Sequence, residues 1–142
     1  MLLHDHPVLD AGLRLVLSAL LALPLGWDPR QRFHSASLRT YPLIAVCICG
    51  FMIVAVARVG GPSEEADVIY GVLNGIGFVG TGAILKTSGW AEGITSAVSL
   101  WVTGALAMAV AFGAPLLAAM VTLLSVVGLW APWILPRGRE TR

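Results

Sequence analysis

The chain has 142 residues, enough for one domain. Hydrophobic residues make up 57% and charged residues 12%, and mean hydropathy is +0.83, which together exclude an ordinary soluble domain. A formal net charge of +1, with no basic patch interleaved with aromatics, argues against a nucleic-acid partner.

Residues 1–7 carry His4, Asp5 and His6, but a terminal tail has nothing to hold them in coordination geometry, so no metal site is expected. The first apolar run, residues 8–25, contains Arg14. The leader lacks the basic region of a signal peptide, so this run reads as an uncleaved transmembrane helix. Gly26, Trp27, Asp28 and Pro29 end it, because proline disfavours helical geometry in the residue before it. Residues 30–39 form a polar loop holding Arg30, Arg32 and Arg39.

The second run, residues 40–59, has Pro42 in its first turn, where a missing N–H costs little. Cys47 and Cys49 stand two apart and so point to different sides of a helix. That spacing suits neither redox nor zinc chemistry, and both read as buried thiols. A turn-rich loop then brings Glu64, Glu65 and Asp67.

The third run, residues 68–85, is closed by Lys86 and carries Gly71, Gly75, Gly77, Gly80 and Gly82. At about 100° per residue, Gly71, Gly75 and Gly82 fall on one side of a helix and Gly77 and Gly80 nearly opposite. Small residues let membrane helices approach closely, so glycine on two sides predicts a helix clasped between neighbours at the centre of a bundle. The spacing of Gly75, Gly77 and Gly80 also spells G-x-G-x-x-G, but without the strand and βαβ unit that nucleotide binding requires. No cofactor is expected.

Asn74 and Thr81 lie seven apart on one face of this helix. In the fourth run, residues 94–112 after a short connection, Glu92, Thr95, Ser96, Ser99 and Thr103 follow helical spacing as one polar stripe. Polar groups in hydrocarbon need partners, so the stripe is expected to face Asn74 and Thr81. It serves either as inter-helix hydrogen bonding or as a polar path for a small ion. Gly113, Ala114 and Pro115 make a tight turn into the fifth run, residues 116–135, with Trp130 and Trp133 near its end as at a membrane interface.

The expected fold is therefore an all-α integral membrane protein: a bundle of about five transmembrane helices, with the glycine-rich third helix central. Residues 1–135 make the membrane domain and 136–142 a short basic tail with Arg137, Arg139 and Arg142. Lys86, the three arginines of the first loop and the tail arginines fall on one side of a five-span topology. By the positive-inside rule the N-terminus is outside and the C-terminus cytoplasmic. Arg14 in the first span and Asp67 at the start of the third share the outer side, which predicts an ion pair.

Over roughly residues 13–128 the chain resembles the membrane domain of the MgtC/SapB family of bacterial inner-membrane proteins. Residues 74–85, N-G-I-G-F-V-G-T-G-A-I-L, are similar to the family's S-G-I-G-F-L-G-A-G. Residues 93–101, G-I-T-S-A-V-S-L-W, are similar to G-L-T-T-A-A-S-L-W, and Leu38, Arg39 and Thr40 match an L-R-T that opens the second helix. The chain departs from the pattern at Gly26–Pro29, where the family reads G-L-E-R, and at Glu92, where it has arginine. Many members also carry a cytoplasmic C-terminal domain, which would make this a short form. The resemblance implies a role in growth at low magnesium.

Two functions compete: a regulatory membrane protein that contacts a membrane-protein partner or its own copies, and an oligomeric cation transporter or channel using the polar stripe. An enzyme lacks support, since no nucleophile–base pair or metal-ligand spacing is present.

Overall fold

A computed structural model describes residues 7–27, 38–58, 61–87 and 90–134. They form five α-helices: α1 (Pro7–Ala22), α2 (Thr40–Arg58), α3 (Pro62–Ala83), α4 (Ile94–Ala111) and α5 (Pro115–Ile134). The all-α membrane bundle read from the sequence is the fold. Among the described residues, three segments are long and apolar enough to cross a membrane: Val8–Gly26, Thr40–Arg58 and Ile94–Ala111. The described apolar window of α5, Pro115–Trp130, is shorter, and α3 spends its first turn on Glu64 and Glu65.

The helix boundaries follow local chemistry. α1 tightens into a 3-10 turn at Leu23–Gly26, where Pro24 has no N–H to continue an α-helical ladder. Pro62 begins α3 where an N–H would be unpaired in any case, and the two glutamates beside it complement the positive end of the helix. Between α3 and α4 the chain forms a small antiparallel hairpin of β1 (Leu85–Thr87) and β2 (Trp90–Glu92), pairing Leu85 with Glu92 and Thr87 with Trp90. The sequence offered only a short connection here, because two three-residue strands carry too little periodicity to read. Gly93 then enters α4 at φ 86°, in a left-handed conformation tight against the carbonyl of Ala83 that leaves no room for a side chain.

The centre of the bundle is α4, a correction to the expectation for α3. Within the bundle 61% of α4 is buried, against 33% of α2 and 17% of the first span. On α3 the buried residues are Ile76 and Gly80. The reason is the width of the small-residue surface. Buried Ser96, Ala97, Ser99, Thr103, Gly104, Ala107 and Ala111 cover nearly half of the circumference of α4, and buried Leu100, Leu106, Ala109 and Val110 widen that to about two thirds, so neighbours approach it from several sides. On α3 the small residues work on one side only. A Cβ on Gly80 would rest 3.8 Å from Ala97 and one on Gly77 3.8 Å from Trp101. Gly71, Gly75 and Gly82 have nothing within 4 Å of where a Cβ would stand, so that side is not clasped within the chain.

The other core contacts join α1, α2 and α5 to the hub. Tyr41, Met52 and Cys49 of α2 are fully buried, as are Leu25 after α1 and Ala118 of α5. Gly26 packs so closely on the start of α2 that a Cβ would lie 2.9 Å from the Cα of Leu38. Cys47 is exposed on the outer face of α2, so only Cys49 is the buried thiol the sequence led one to expect for both.

The two glycine faces of α3 should respond differently to bulk. Gly80→Leu is expected to lower stability by about 1–3 kcal/mol through overpacking against Ala97. Gly82→Leu should change it by less than about 0.5 kcal/mol, as at a surface site. Reversible unfolding in mixed micelles distinguishes them, and equal losses would refute the one-sided packing.

Candidate functional site

Three sets of polar groups stand out among the described residues, the first and third neighbouring each other along α1. The first is a cluster around Arg14, at the end of the bundle where α4 turns into α5. Its guanidinium forms an ion pair with Asp10, one helical turn earlier, at 2.7 Å, and donates to the carbonyl oxygen of Ala111 at 2.6 Å. The partner is thus Asp10 and not Asp67, which is exposed at the start of α3. An i,i+4 pair needs no tertiary contact, and it leaves part of the guanidinium free for a carbonyl on another helix.

That carbonyl completes the C-terminus of α4. A helix leaves its last four carbonyls without intrahelical partners. Here Phe112 N–H donates to Met108, Ala114 N–H to Ala109 and Gly113 N–H to Val110. The pair from Ala114 and Gly113 is a Schellman closure, which needs a left-handed residue after the helix, and Gly113 supplies it at φ 76°. Ala111 is the remaining carbonyl, and Arg14 takes it. The positive charge also lies at the negative end of the helix dipole. A small recess of about 230 Å3 beside this contact is lined by Asp10, Leu13, Arg14, Leu17, Val110, Gly113 and Pro115. Sequence reading missed this role, although the Gly113 and Pro115 stop signal marks where a helix end would need a cation.

The second set is the stripe on α4. Ser96, Ser99 and Thr103 are buried and Thr95 is exposed. Thr103 donates to the Ser99 carbonyl at 2.8 Å and Ser99 to the Thr95 carbonyl at 2.9 Å. These hydroxyls are satisfied within their own helix. The expected face-to-face contact with Asn74 and Thr81 does not form. α4 meets α3 through Ala97, Trp101 and Gly104, about 130° round the helix from the stripe. Asn74 and Thr81 are exposed on the outward side of α3, where Thr81 donates to the Gly77 carbonyl at 2.8 Å.

The third set ties α1 to its neighbours. Ser18 is fully buried, donates to the Leu15 carbonyl at 2.8 Å and meets the thiol of Cys49. Thr122 of α5 reaches the carbonyls of Ala118 at 3.0 Å and Leu21 at 3.4 Å. Among the described residues no group of three or more His, Cys, Asp or Glu side chains gathers as a metal site. Arg39 is exposed near the start of α2. Asp28, His4, Asp5, His6, the arginines at 30, 32, 137, 139 and 142, and the side chains of Lys86 and Glu92 lie outside the described residues.

Removing the guanidinium should expose the accounting at the α4 terminus. Arg14→Leu is expected to cost about 1.5–3 kcal/mol, the range for a hydrogen bond to a charged group. In double-mutant cycles in mixed micelles, Arg14 should couple to Asp10 and show additive behaviour with Asp67. Coupling to Asp67 alone would overturn the assignment.

The chain is similar to known proteins along most of its length. The model of the MgtC family matches residues 15–134. The chain is 32% identical over 110 residues to the Escherichia coli K12 protein named "Putative magnesium transporter YhiD", covering 71% of this chain and 50% of YhiD. It is 30% identical over 118 residues to Protein SrpB of Synechococcus elongatus, covering 74% and 65% of the two chains. Protein MgtC of Brucella abortus is 33% identical over 81 residues, 57% of this chain and 34% of that protein. The chain thus spans between about a third and two thirds of the length of these relatives. No solved structure matches it. With 120 consecutive residues matched, through all four later helices and the second half of the first, the chain belongs to the MgtC family.

Proposed function

We propose that this protein is a regulatory component of magnesium homeostasis in the bacterial inner membrane, acting through helix contacts and not by conducting an ion. Magnesium enters from its relatives: one carries magnesium transport in its name, and the resemblance of residues 74–85 and 93–101 ties the chain to growth at low magnesium. The observation that carries the choice of mechanism is the stripe on α4. Ser99 and Thr103 spend their protons on carbonyls of their own helix, as packing residues do. A pathway for Mg²⁺ calls for oxygen ligands that hold the ion while it keeps several waters. A recess of about 700 Å3 between α2 and α3 is lined by apolar side chains and glycine.

The proposed topology is five crossings with the N-terminus outside. An odd number of helices supports opposite sides for the two termini, and the positive-inside rule places the C-terminus in the cytoplasm.

Two measurements test this. Liposomes holding only this protein should show magnesium and other cation flux no greater than empty vesicles, and selective flux would overturn the reading in favour of transport. In cells at limiting magnesium, Ser99→Ala and Glu92→Arg should support growth in proportion to their abundance in the membrane. Loss of growth at normal abundance would instead assign the stripe to a functional path.

A further inference from the structure

The outward side of α3 combines three features that the bundle leaves unused. The first is Asn74. Ile76 packs against Gly104, near the middle of the apolar span of α4, so Asn74, two residues away, stands level with the middle of that span. Along α3 it is about 18 Å from the first residue and about 14 Å from the last, at 1.5 Å per residue. Its side chain is exposed, and no described group pairs with its amide. Lipid chains offer neither donor nor acceptor at that depth, so the bilayer itself does not satisfy it.

The second feature is the open backbone beside that amide. Gly71 and Gly75 are four apart, and neither has an atom within 4 Å of its Cβ position. This spacing lets a second helix approach to backbone contact. The third is a matched projection and recess. Phe78 is 83% exposed, one turn on from Gly75. The 700 Å3 groove between α2 and α3 opens beside the same glycines and is walled by Phe51, Val54, Val72 and Val79.

We propose that this face is a self-association surface that takes α3 of a second copy of this chain. An amide is both donor and acceptor, so two Asn74 side chains pair with each other across a two-fold axis. A surface that carries both a projection and a recess closes on its own copy in the same way, each Phe78 entering the other's groove. An unrelated helix would need its own polar group at this depth and its own aromatic at this spacing. A second copy has both by identity. The inference does not rest on the proposed regulatory role, since a transporter could pair through the same face.

The test is single-molecule photobleaching of the full chain, singly labelled, in vesicles over a range of protein-to-lipid ratios. The wild type should pass from one-step to two-step bleaching as density rises. Gly75→Leu and Asn74→Leu should each raise the density for half-association by about tenfold or more. Leu124→Ala, on the exposed face of α5, should leave it unchanged. Gly75→Leu should keep the wild-type unfolding profile, because the position is open within the chain. Asn74→Leu, of similar size and on the same face, tests the surface without added bulk. One-step bleaching at every density would overturn the proposal, as would variants that associate like the wild type. Equal weakening by Leu124→Ala, or association only when a different membrane protein is added, would do the same.

Discussion

A bilayer core contains no water, so every backbone carbonyl and every hydroxyl at depth must find its partner inside the protein. The end of α4 is where this constraint bears hardest. The helix stops at Ala111, and α5 begins only four residues later at Pro115. Four carbonyls there need donors, and the turn itself supplies three through the N–H groups of Phe112, Gly113 and Ala114. Arg14 supplies the fourth from α1. A charge that would be costly alone in a span is held by Asp10 on one side and by a helix dipole on the other. The same contact ties the first helix to the last two, so that end of the bundle closes on one guanidinium.

The rest of the packing follows from having α4 in the middle. A central membrane helix cannot rely on hydrophobic attraction between helices, because lipid is equally apolar. It relies on close approach, and α4 provides this with serine, alanine, threonine and glycine on nearly half of its circumference. Its hydroxyls bond back to the preceding turn, which lets polar atoms lie in the interior without a second helix answering them. The stripe is therefore consistent with packing, and its polarity by itself assigns no ion path. By contrast, α3 presents its glycines to two different environments: Gly77 and Gly80 to Trp101 and Ala97, and Gly71, Gly75 and Gly82 to space outside the bundle.

What the sequence determined by itself was the class of protein, the approximate limits of the five helices and the family. These depend on local quantities: long apolar runs, prolines at helix starts, Gly113 and Pro115 at a helix end, and the glycine-rich motif of residues 74–85. Helical periodicity also puts Ser96, Ser99 and Thr103 on one face, and all three are buried on α4. Periodicity says which residues share a face, however, and not which neighbour that face meets. Tertiary structure alone decided that α4 and not α3 is the hub, that the stripe turns about 130° away from α3, and that Arg14 pairs with Asp10 and reaches Ala111, 97 residues along the chain. A helix that is apolar all round gives little directional signal, because lipid and protein interior favour the same side chains. Only the docking of whole helices separates the glycines that touch a neighbour from those that do not.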